Sequence, residues 1–234
     1  MCGIFGVWNV NKKPVDLPRL LDSLQKIRHR GPDDEGYLLL DSSSREMISC
    51  LGPDSAEQIS LPRIEQVFDV KFNMALGFRR LSILDLSPAG HQPMSSSDGS
   101  LWIVFNGEIY NYIELREELK SLGYTFHTQA DTEVILNAYD AWGEDCLNRF
   151  NGMWSFALFD ARKDRLFCAR DRFGIKPFYY HLDRERFVFA SEIKAVLNYS
   201  GIVRKPNDAI VYDYLNYALM DHSQETFFEG VAQL

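Results

Sequence analysis

Long apolar runs and positive charge are both scarce in this sequence. No stretch approaches the roughly 20 consecutive apolar residues of a membrane-spanning helix, so we expect no membrane partner. The 25 Lys and Arg residues stand against 33 Asp and Glu residues, which gives a formal net charge of −8 at pH 7. Nucleic-acid binding depends on clustered cations, so this balance argues against a nucleic-acid partner and leaves only a local basic patch open.

Cysteine and glycine are too few for the scaffolds that depend on them. The 15 glycines exclude a collagen-like chain. No C-x-x-C pair occurs, so neither a zinc site nor a disulfide framework is indicated. The opening MCGIFGVWNV lacks the preceding positive charge and the cleavage site of a signal peptide, so we expect a cytoplasmic protein. The four cysteines are Cys2, Cys50, Cys146 and Cys168.

The remaining composition is that of a globular protein, with 46% hydrophobic and 25% charged residues, and it favours one domain over residues 1–234. Strand-like and helix-like segments come in separate runs, which predicts an α+β fold. Segment 52–70 is interpreted as a surface excursion and segment 87–99 as a loop. Strands are predicted at 3–10, 36–40, 47–51, 74–78, 101–105, 153–159, 165–169, 177–181 and 186–190. Helices are predicted from residue 17 to near Gly31-Pro32, and at 113–122, 134–142, 192–197 and 208–219.

Cys2 acquires special chemistry from its position. If the initiator methionine is removed, Cys2 carries a thiol and a free α-amino group on the same Cα. The reference pKa of an α-amine is about 8, so this amine is partly neutral near pH 7 and suits a general base for the thiol. The alternative interpretation is a small apolar residue that opens a buried strand.

Two dipeptides could supply hydrogen-bond donors to a ligand. Asn106-Gly107 offers a side-chain amide and a closely approachable backbone N–H, which together could form an oxyanion hole, although the dipeptide by itself is typical of a hairpin turn. Arg79-Arg80 ends a strand, and a guanidinium suits bidentate binding of a carboxylate. The alternative for the arginine pair is two solvated side chains.

Asp131 lies just ahead of a predicted helix, where Asp131 or Thr132 would serve as the N-cap. A carboxylate at this place could also bind a substrate ammonium. An α-amino acid offers a carboxylate to an arginine and an ammonium to an aspartate, and its side-chain amide could be attacked by a thiolate. Together these features predict a glutamine-hydrolysing site that forms a thioester and releases ammonia.

Eight sequence blocks resemble, in order, the glutaminase domain of glutamine-dependent asparagine synthetase. This domain is a class II (type 2) glutamine amidotransferase of the N-terminal-nucleophile hydrolase type. The resemblance implies a four-layer αββα sandwich, in agreement with the predicted α+β fold. The blocks are MCGIFGV from residue 1, RHRGPDD at 28–34, RLSILD at 80–85, FNGEIYN at 105–111, DTEVIL at 131–136, GMWSFALFD at 152–160, RDRFGIKPFYY at 170–180 and SEIKAV at 191–196.

The resemblance also implies roles for ten positions of this sequence. Cys2 would be the nucleophile, exposed by removal of the initiator methionine. Asn106 and Gly107 would form the oxyanion hole. Arg80, rather than Arg79, would bind the glutamine carboxylate. The other implied residues of the glutamine pocket are Leu81, Ser82, Ile83, Leu84, Glu108 and Asp131, the last as partner of the substrate ammonium.

The chain ends at FFEGVAQL and contains no S-G-G-x-D-S segment of an ATP pyrophosphatase loop. The resemblance therefore implies a C-terminal synthetase domain as a partner in a longer protein, where ammonia would amidate aspartate. ATP and Mg are expected only with that domain, and no cofactor or metal is expected for this one. The resemblance leaves a homodimer open.

Alternatives to this assignment remain open from the sequence. Related members of the branch amidate other carboxylates, and the domain could instead be a catalytically idle binding module or a redox sensor that uses Cys2. Glucosamine-6-phosphate synthase and amidophosphoribosyltransferase share the opening Cys and an Asn-Gly pair, but typically carry His-Asn-Gly where this chain has Phe-Asn-Gly. The connection around residues 50–75 is longer than is usual in the family, and its role is unassigned.

Overall fold

A computed structural model describes residues 1–234, which form eleven strands and five α-helices. The strands are β1 Gly3–Asn9, β2 Asp34–Leu40, β3 Met47–Leu51, β4 Met74–Arg80, β5 Met94–Ser95, β6 Leu101–Ile109, β7 Gly152–Asp160, β8 Arg165–Arg170, β9 Tyr179–Leu182, β10 Arg186–Ala190 and β11 Ala232–Gln233. The helices are α1 Leu17–Gln25, α2 Tyr112–Ser121, α3 Asp131–Trp142, α4 Ile193–Ser200 and α5 Asp208–Tyr217. None of these helices has the length and apolar character required to cross a membrane.

Two antiparallel sheets lie face to face at the centre of the structure. One has seven strands in the order β11-β9-β10-β1-β4-β2-β3, and the other has four in the order β5-β6-β7-β8. Helices α1 and α4 pack on the outer face of the seven-stranded sheet, and α2 and α3 pack on the outer face of the four-stranded sheet. The predicted α+β fold with four αββα layers is therefore confirmed.

Alternation along the strands sends neighbouring side chains into different layers. In β1, Phe5 and Val7 pack beneath α1 and α4, whereas Ile4 packs between the two sheets. In β6, Phe105 packs beneath α3, and Val104 packs between the sheets. Successive side chains of a strand point to opposite faces, so every second residue of these strands reaches the space between the sheets.

Strand β6 is longer than its apolar run predicts. The run at 101–105 and the Asn106-Gly107 dipeptide predict a strand that ends in a turn, but β6 continues through both residues, and Asn106 pairs with Ser155 of β7. A Cβ atom added to Gly107 would lie 2.4 Å from the carbonyl oxygen of Met153. Glycine is needed here because β7 approaches closely, and cross-strand pairing overrides the local preference for a turn.

The first helix is shorter than its apolar spacing predicts. Helix α1 ends at Gln25, and Arg28–Arg30 form a separate 3₁₀ turn before Gly31. A Cβ atom on Gly31 would lie 2.4 Å from the carbonyl carbon of Arg79 in β4. The chain crosses this strand too closely for a continued α-helix, although Ile27 remains fully buried in the core.

The segments predicted as irregular contain more structure than expected. Within 52–70, Ile64 and Val67 lie in a 3₁₀ turn and are buried against the core of the seven-stranded sheet, so the interpretation as a surface excursion is wrong for this part. Within 87–99, β5 pairs with β6. The first departure arises from packing against distant segments, which local composition does not encode, whereas the second is a short local hairpin.

Candidate active site

A cavity of about 330 Å³ opens where β1 begins and β4 ends, between the two sheets. Its volume lies at the lower end of the range typical of small-molecule sites. All ten positions singled out in the sequence line this one cavity. They are Cys2, Arg80, Leu81, Ser82, Ile83, Leu84, Asn106, Gly107, Glu108 and Asp131.

The Cys2 thiol is held at the cavity wall by the backbone that follows β4. Its Sγ accepts a hydrogen bond from the Leu81 N–H at 3.3 Å and lies 3.5 Å from the Leu81 carbonyl oxygen. The Cys2 carbonyl oxygen accepts a hydrogen bond from Arg30 Nε at 2.9 Å. Burial raises the pKa of the Cys2 thiol, against the opposing effects of the Leu81 N–H and the Arg80 charge. The thiol is therefore protonated at neutral pH, and a nearby base would be needed to activate it.

Asn106 is buried with its amide group unsatisfied. The side chain is 1% exposed, and its Nδ2 has no hydrogen-bond partner in the protein. An unpaired buried donor costs about 1–3 kcal/mol. Asn106 and Cys2 line the same cavity, so an amide without a protein partner lies in the wall that also holds the thiol.

The Arg80 guanidinium is held by neutral groups only. It donates hydrogen bonds to the backbone carbonyl oxygens of Ser87, at 2.8 Å, and of Asp85. Gly90 leaves room for it, because an added Cβ atom would lie 2.0 Å from Arg80 Nη2. The guanidinium is buried, and its full positive charge faces the cavity.

Arg79 points away from the cavity. Its guanidinium pairs with Glu35 at 2.6 Å and with Asp54 at 2.8 Å, and it also donates to Gln25. Both arginines are buried, so the interpretation of the pair as solvated side chains is wrong. The period of two along β4 places Arg79 on the helix side and Arg80 on the inter-sheet side.

Asp131 is the first residue of α3 rather than its N-cap, a position that Ala130 occupies. The N-cap prediction for Asp131 or Thr132 is therefore wrong, because the Asp131 side chain turns towards β6 and its Oδ2 accepts a hydrogen bond from the Ile109 N–H at 2.9 Å. Burial, with a smaller contribution from Glu108, raises the pKa of Asp131 to about 6. A bound cation would lower this pKa and so favour the charged form further.

The loop after β4 forms the rim of the cavity. Ile83 and Leu84 are exposed, whereas the Ser82 N–H donates a hydrogen bond to Asp33 Oδ2 at 2.8 Å. Glu108 lies opposite Met153 in the β6–β7 pair and faces the cavity from the other sheet. The rim of the cavity therefore follows a strand of the seven-stranded sheet, whereas Glu108 belongs to the four-stranded sheet.

Four further polar residues line the cavity and were not predicted as site residues: Asp85, Gln92, Thr132 and Lys176. Gln92 accepts a hydrogen bond from the Phe105 N–H at 2.7 Å and donates to Thr132 at 3.2 Å, which ties β6 to α3. Lys176 is a buried lysine in the loop between β8 and β9. It lies in the RDRFGIKPFYY block, but only its burial beside Cys2 distinguishes it from an ordinary surface lysine.

Other cysteine and histidine side chains are placed away from this chemistry. All four cysteines are free, and burial raises the pKa of Cys50 to about 11 and that of Cys146 to about 12. His91 pairs with Asp34 at 2.7 Å. No group of three or more His, Cys, Asp or Glu side chains has an arrangement that could hold a metal ion.

Comparison with known proteins relates most of the chain to proteins named as glutamine-hydrolysing asparagine synthetases. The family described as glutamine amidotransferase domain matches residues 61–234. A putative asparagine synthetase [glutamine-hydrolyzing] 2 of Methanocaldococcus jannaschii is 37% identical over 222 residues, covering 88% of this chain and 37% of that protein. An asparagine synthetase [glutamine-hydrolyzing] 1 of Bacillus subtilis is 39% identical over 200 residues, covering 84% of this chain and 27% of that protein. The chain thus spans well under half the length of these relatives.

A solved structure has a similar fold. The glutamine phosphoribosylpyrophosphate amidotransferase of B. subtilis, complexed with ADP and GMP, superposes with a TM-score of 0.67 at 23% identity, over 87% of this chain and 45% of that one. This similarity concerns the fold, and the family assignment comes from the sequence match. The chain belongs to the glutamine amidotransferase domain family.

Proposed function

We propose that this domain hydrolyses the side-chain amide of glutamine to glutamate and ammonia, through a thioester on Cys2 formed after Met1 has been removed. The observation that carries the proposal is the shared cavity. It brings together a thiol, an unpartnered amide on Asn106, a guanidinium on Arg80 without a carboxylate partner, and a buried carboxylate on Asp131.

These groups match the substrate in number and in charge. The Arg80 guanidinium would bind the α-carboxylate of glutamine, and the Asp131 carboxylate would bind its α-ammonium. Both protein charges are buried, so each is poorly compensated until glutamine arrives. Backbone groups of the 81–84 loop would complete the pocket around the substrate.

Attack on the amide would begin with transfer of the Cys2 thiol proton to the α-amine of the same residue. The sulfur then forms a bond to the amide carbon, and the carbonyl oxygen becomes an oxyanion that the Asn106 amide and the Gly107 N–H would stabilise. As the tetrahedral intermediate collapses, the C–N bond breaks, and the protonated amine delivers its proton to the departing nitrogen. Ammonia leaves, and the γ-acyl group of glutamate remains attached to sulfur.

Hydrolysis of the thioester would use the same groups in the reverse order. The neutral amine accepts a proton from a water molecule, whose oxygen attacks the thioester carbon. The C–S bond breaks, the sulfur regains the proton, and glutamate is released. Every atom transferred comes from glutamine, water or Cys2, so we propose that this half-reaction needs no metal or other cofactor.

We further propose that the ammonia serves ATP-dependent amidation of aspartate to asparagine by a C-terminal synthetase domain, where ATP and Mg would act. The names of the relatives and the 37% share of the M. jannaschii protein that this chain covers support this assignment. A free nucleophilic thiol fits the reducing cytoplasm. One chain builds the whole cavity, so the mechanism does not require the homodimer that the resemblance left open.

The direct test is glutamate release from glutamine by the wild-type chain and by Cys2→Ala, with Cys50→Ala as the matched control at a buried cysteine outside the cavity. Mass spectrometry of the intact chain first establishes that Met1 is absent. We expect a loss on the order of a thousandfold or more for Cys2→Ala and little change for Cys50→Ala. Equal rates for wild type and Cys2→Ala would refute the proposal and favour an idle binding module.

A further inference from the structure

One cation in the cavity wall is not used by the chemistry proposed above. Lys176 is 6% exposed and lines the same cavity as Cys2 and Glu108. Its backbone is hydrogen-bonded, but its ammonium makes no hydrogen bond or ion pair with the protein. Burying a lysine without a partner costs free energy, so its presence beside the nucleophile requires an explanation.

The loop that carries Lys176 is held rigidly. The Asp171 carboxylate accepts hydrogen bonds from the backbone N–H groups of Ile175 and Lys176, each at 2.9 Å. The same carboxylate accepts a hydrogen bond from the Trp154 N–H of β7 at 3.2 Å. Arg170 Nε donates to the Lys176 carbonyl oxygen at 2.8 Å. The backbone of Lys176 is therefore fixed relative to the sheet that carries Asn106.

Charged groups from every neighbouring element act on the N-terminal residues. They are Arg30 of the 3₁₀ turn after α1, Asp33 before β2, Arg80 at the end of β4, Asp131 of α3 and Lys176 of the β8–β9 loop, while Glu108 of β6 acts on Lys176. Most of these charges are compensated once substrate is bound. Arg30 pairs with Glu192 at 3.2 Å, while Arg80 and Asp131 would pair with the two charged groups of glutamine. Lys176 has no ion pair of its own, and its charge is offset only through space by Cys2, Glu108 and Asp171.

We propose that the Lys176 ammonium keeps the α-amine of Cys2 in its neutral, basic form while glutamine is bound, acting through its electrostatic field and not by touching substrate. The inference rests on the proposed function, because the Cys2 amine exists only after Met1 is removed. A second positive charge in the same cavity is unfavourable, so protonation of the amine is resisted. The same field makes the protonated amine a stronger acid when the amide nitrogen leaves.

The unprocessed chain already shows the direction of this effect. Burial lowers the pKa of the Met1 amine, and the charges of Arg30 and Lys176 lower it further, against the opposing effects of Cys2 and Asp33. Arg30 is offset by its ion pair with Glu192, whereas Lys176 is the contributing cation that has no ion pair.

The experiment compares kcat for glutamine hydrolysis from pH 5 to 9 in wild type, Lys176→Met and Lys176→Arg. The pH dependence of kcat reports groups in the substrate complex, where Asp131 is paired and its titration no longer interferes. We expect the acidic limb of Lys176→Met to move upward by about one pH unit, with kcat at pH 6 reduced on the order of tenfold and the alkaline plateau nearly retained. In Lys176→Arg, which keeps the positive charge, the acidic limb of the kcat profile should stay at the wild-type pH.

Two results would overturn the proposal. One is an equal loss of kcat for Lys176→Met at every pH, which would mean a structural role. The other is the same displaced limb in Lys176→Arg, which would mean that charge is not the cause. Thermal unfolding monitors folding, and Lys176→Met should be at least as stable as wild type because a buried charge has been removed. Cys2→Ala tests the proposed function separately from the role of Lys176. If Cys2→Ala is inactive but the acidic limb of the kcat profile stays in place in Lys176→Met, the proposed function stands and only the role of Lys176 is refuted.

Discussion

Adjacent arginines at the end of β4 serve opposite purposes. Arg79 lies on the helix side of the seven-stranded sheet, where the carboxylates of Glu35 and Asp54 neutralise its guanidinium at 2.6 and 2.8 Å. Arg80 lies on the inter-sheet side, where backbone carbonyl oxygens hold the guanidinium and no carboxylate forms an ion pair with it. The two residues have similar burial and identical chemistry, and they differ in the partners that the fold supplies.

The difference shows how a binding site can be distinguished from a structural network. A buried charge whose counterions belong to the protein contributes to folding and is not available to a ligand. A buried charge held by neutral acceptors keeps its affinity for an anion. The same contrast separates two buried asparagines, because Asn73 donates to Asn9 and Ser42, whereas Asn106 Nδ2 has no partner.

The largest effect on stability is expected from Arg79→Met. The change leaves Glu35 and Asp54 without their buried counterion, so the free energy of unfolding should fall by about 3–5 kcal/mol, as measured by urea denaturation. Glutamine hydrolysis per folded molecule should stay within a few-fold of wild type, because Arg79 does not line the cavity.

The double variant Arg79→Met/Glu35→Gln serves as its control. It should recover part of the lost stability, because the orphaned charge is gone. Burial already raises the pKa of Glu35, and loss of Arg79 should raise it further. Glu35 then takes up a proton as the pH falls, so the destabilisation by Arg79→Met should be smaller at pH 5 than at pH 8. Strictly additive losses in the double variant would mean that the two residues are not coupled.

Arg80→Met should give the opposite pattern. We expect kcat/KM for glutamine to fall on the order of a hundredfold, about 2.7 kcal/mol, mainly through KM, because the substrate carboxylate loses its partner. The free energy of unfolding should change by less than about 1 kcal/mol, since only hydrogen bonds to neutral carbonyls are lost. Arg80→Lys keeps the charge without the planar fork and should lie between the two. An unchanged KM in Arg80→Met would contradict the assignment.

Acid pH should weaken the other half of the substrate clamp. Because burial raises the pKa of Asp131 to about 6, the carboxylate is ionised above that pH and neutral below it. The ion pair with the glutamine ammonium is then lost, so kcat/KM should fall about tenfold for each pH unit below 6, or 1.4 kcal/mol. Steady-state kinetics between pH 4.5 and 8 checks this.

Asp131→Asn tests the same carboxylate through stability. The raised pKa in the folded state means that ionised Asp131 destabilises the fold, and this cost is complete above pH 6 and disappears as the pH falls through the unfolded value of about 3.8. Asp131→Asn should therefore stabilise the chain by about 1–2 kcal/mol at pH 7.5 while weakening glutamine binding. A variant that is less stable and binds glutamine normally would show that the carboxylate is structural, like those around Arg79.

The smallest effect is expected from Tyr37→Phe, at the edge of the Arg79 network. The Tyr37 hydroxyl donates to Glu35 Oε2 at 3.3 Å, and its loss should cost about 1 kcal/mol of unfolding free energy without changing kcat or KM. Calorimetry and steady-state kinetics on the same preparation measure both quantities. A change in KM would show that the network around Arg79 affects glutamine binding. Arg79 could then not be assigned a purely structural role in contrast to Arg80.

Much of the architecture was predictable because it depends on local periodicity. Apolar runs of strand length predicted most of the strands, and their separation from the helical segments predicted the α+β fold. The position of Cys2 and the motifs around Arg80, Asn106 and Asp131 predicted a set of residues that the structure gathers into one cavity. Their catalytic roles remain predictions.

Other features depended on which distant segments meet. The Asn106-Gly107 pair has the local preferences of a turn, but pairing with β7 keeps it in a strand. Asp131 has the local preferences of an N-cap, but its side chain bonds to Ile109 of β6 instead. In both cases a contact between separate elements outweighed the conformational preference of the local sequence.

The sequence by itself determined which reactive groups the protein has. Cys2 gains a free α-amine when Met1 is removed, and an arginine, an asparagine and an aspartate lie in specific motifs. The motif around Arg80 already favoured it over Arg79 as the ligand-binding arginine, but only the tertiary structure brought Glu35 and Asp54 to neutralise Arg79, and it alone buried Lys176 beside Cys2. The physical reason is that residue type and periodicity are local properties, whereas burial and neutralisation of a charge depend on partners brought together from distant parts of the chain.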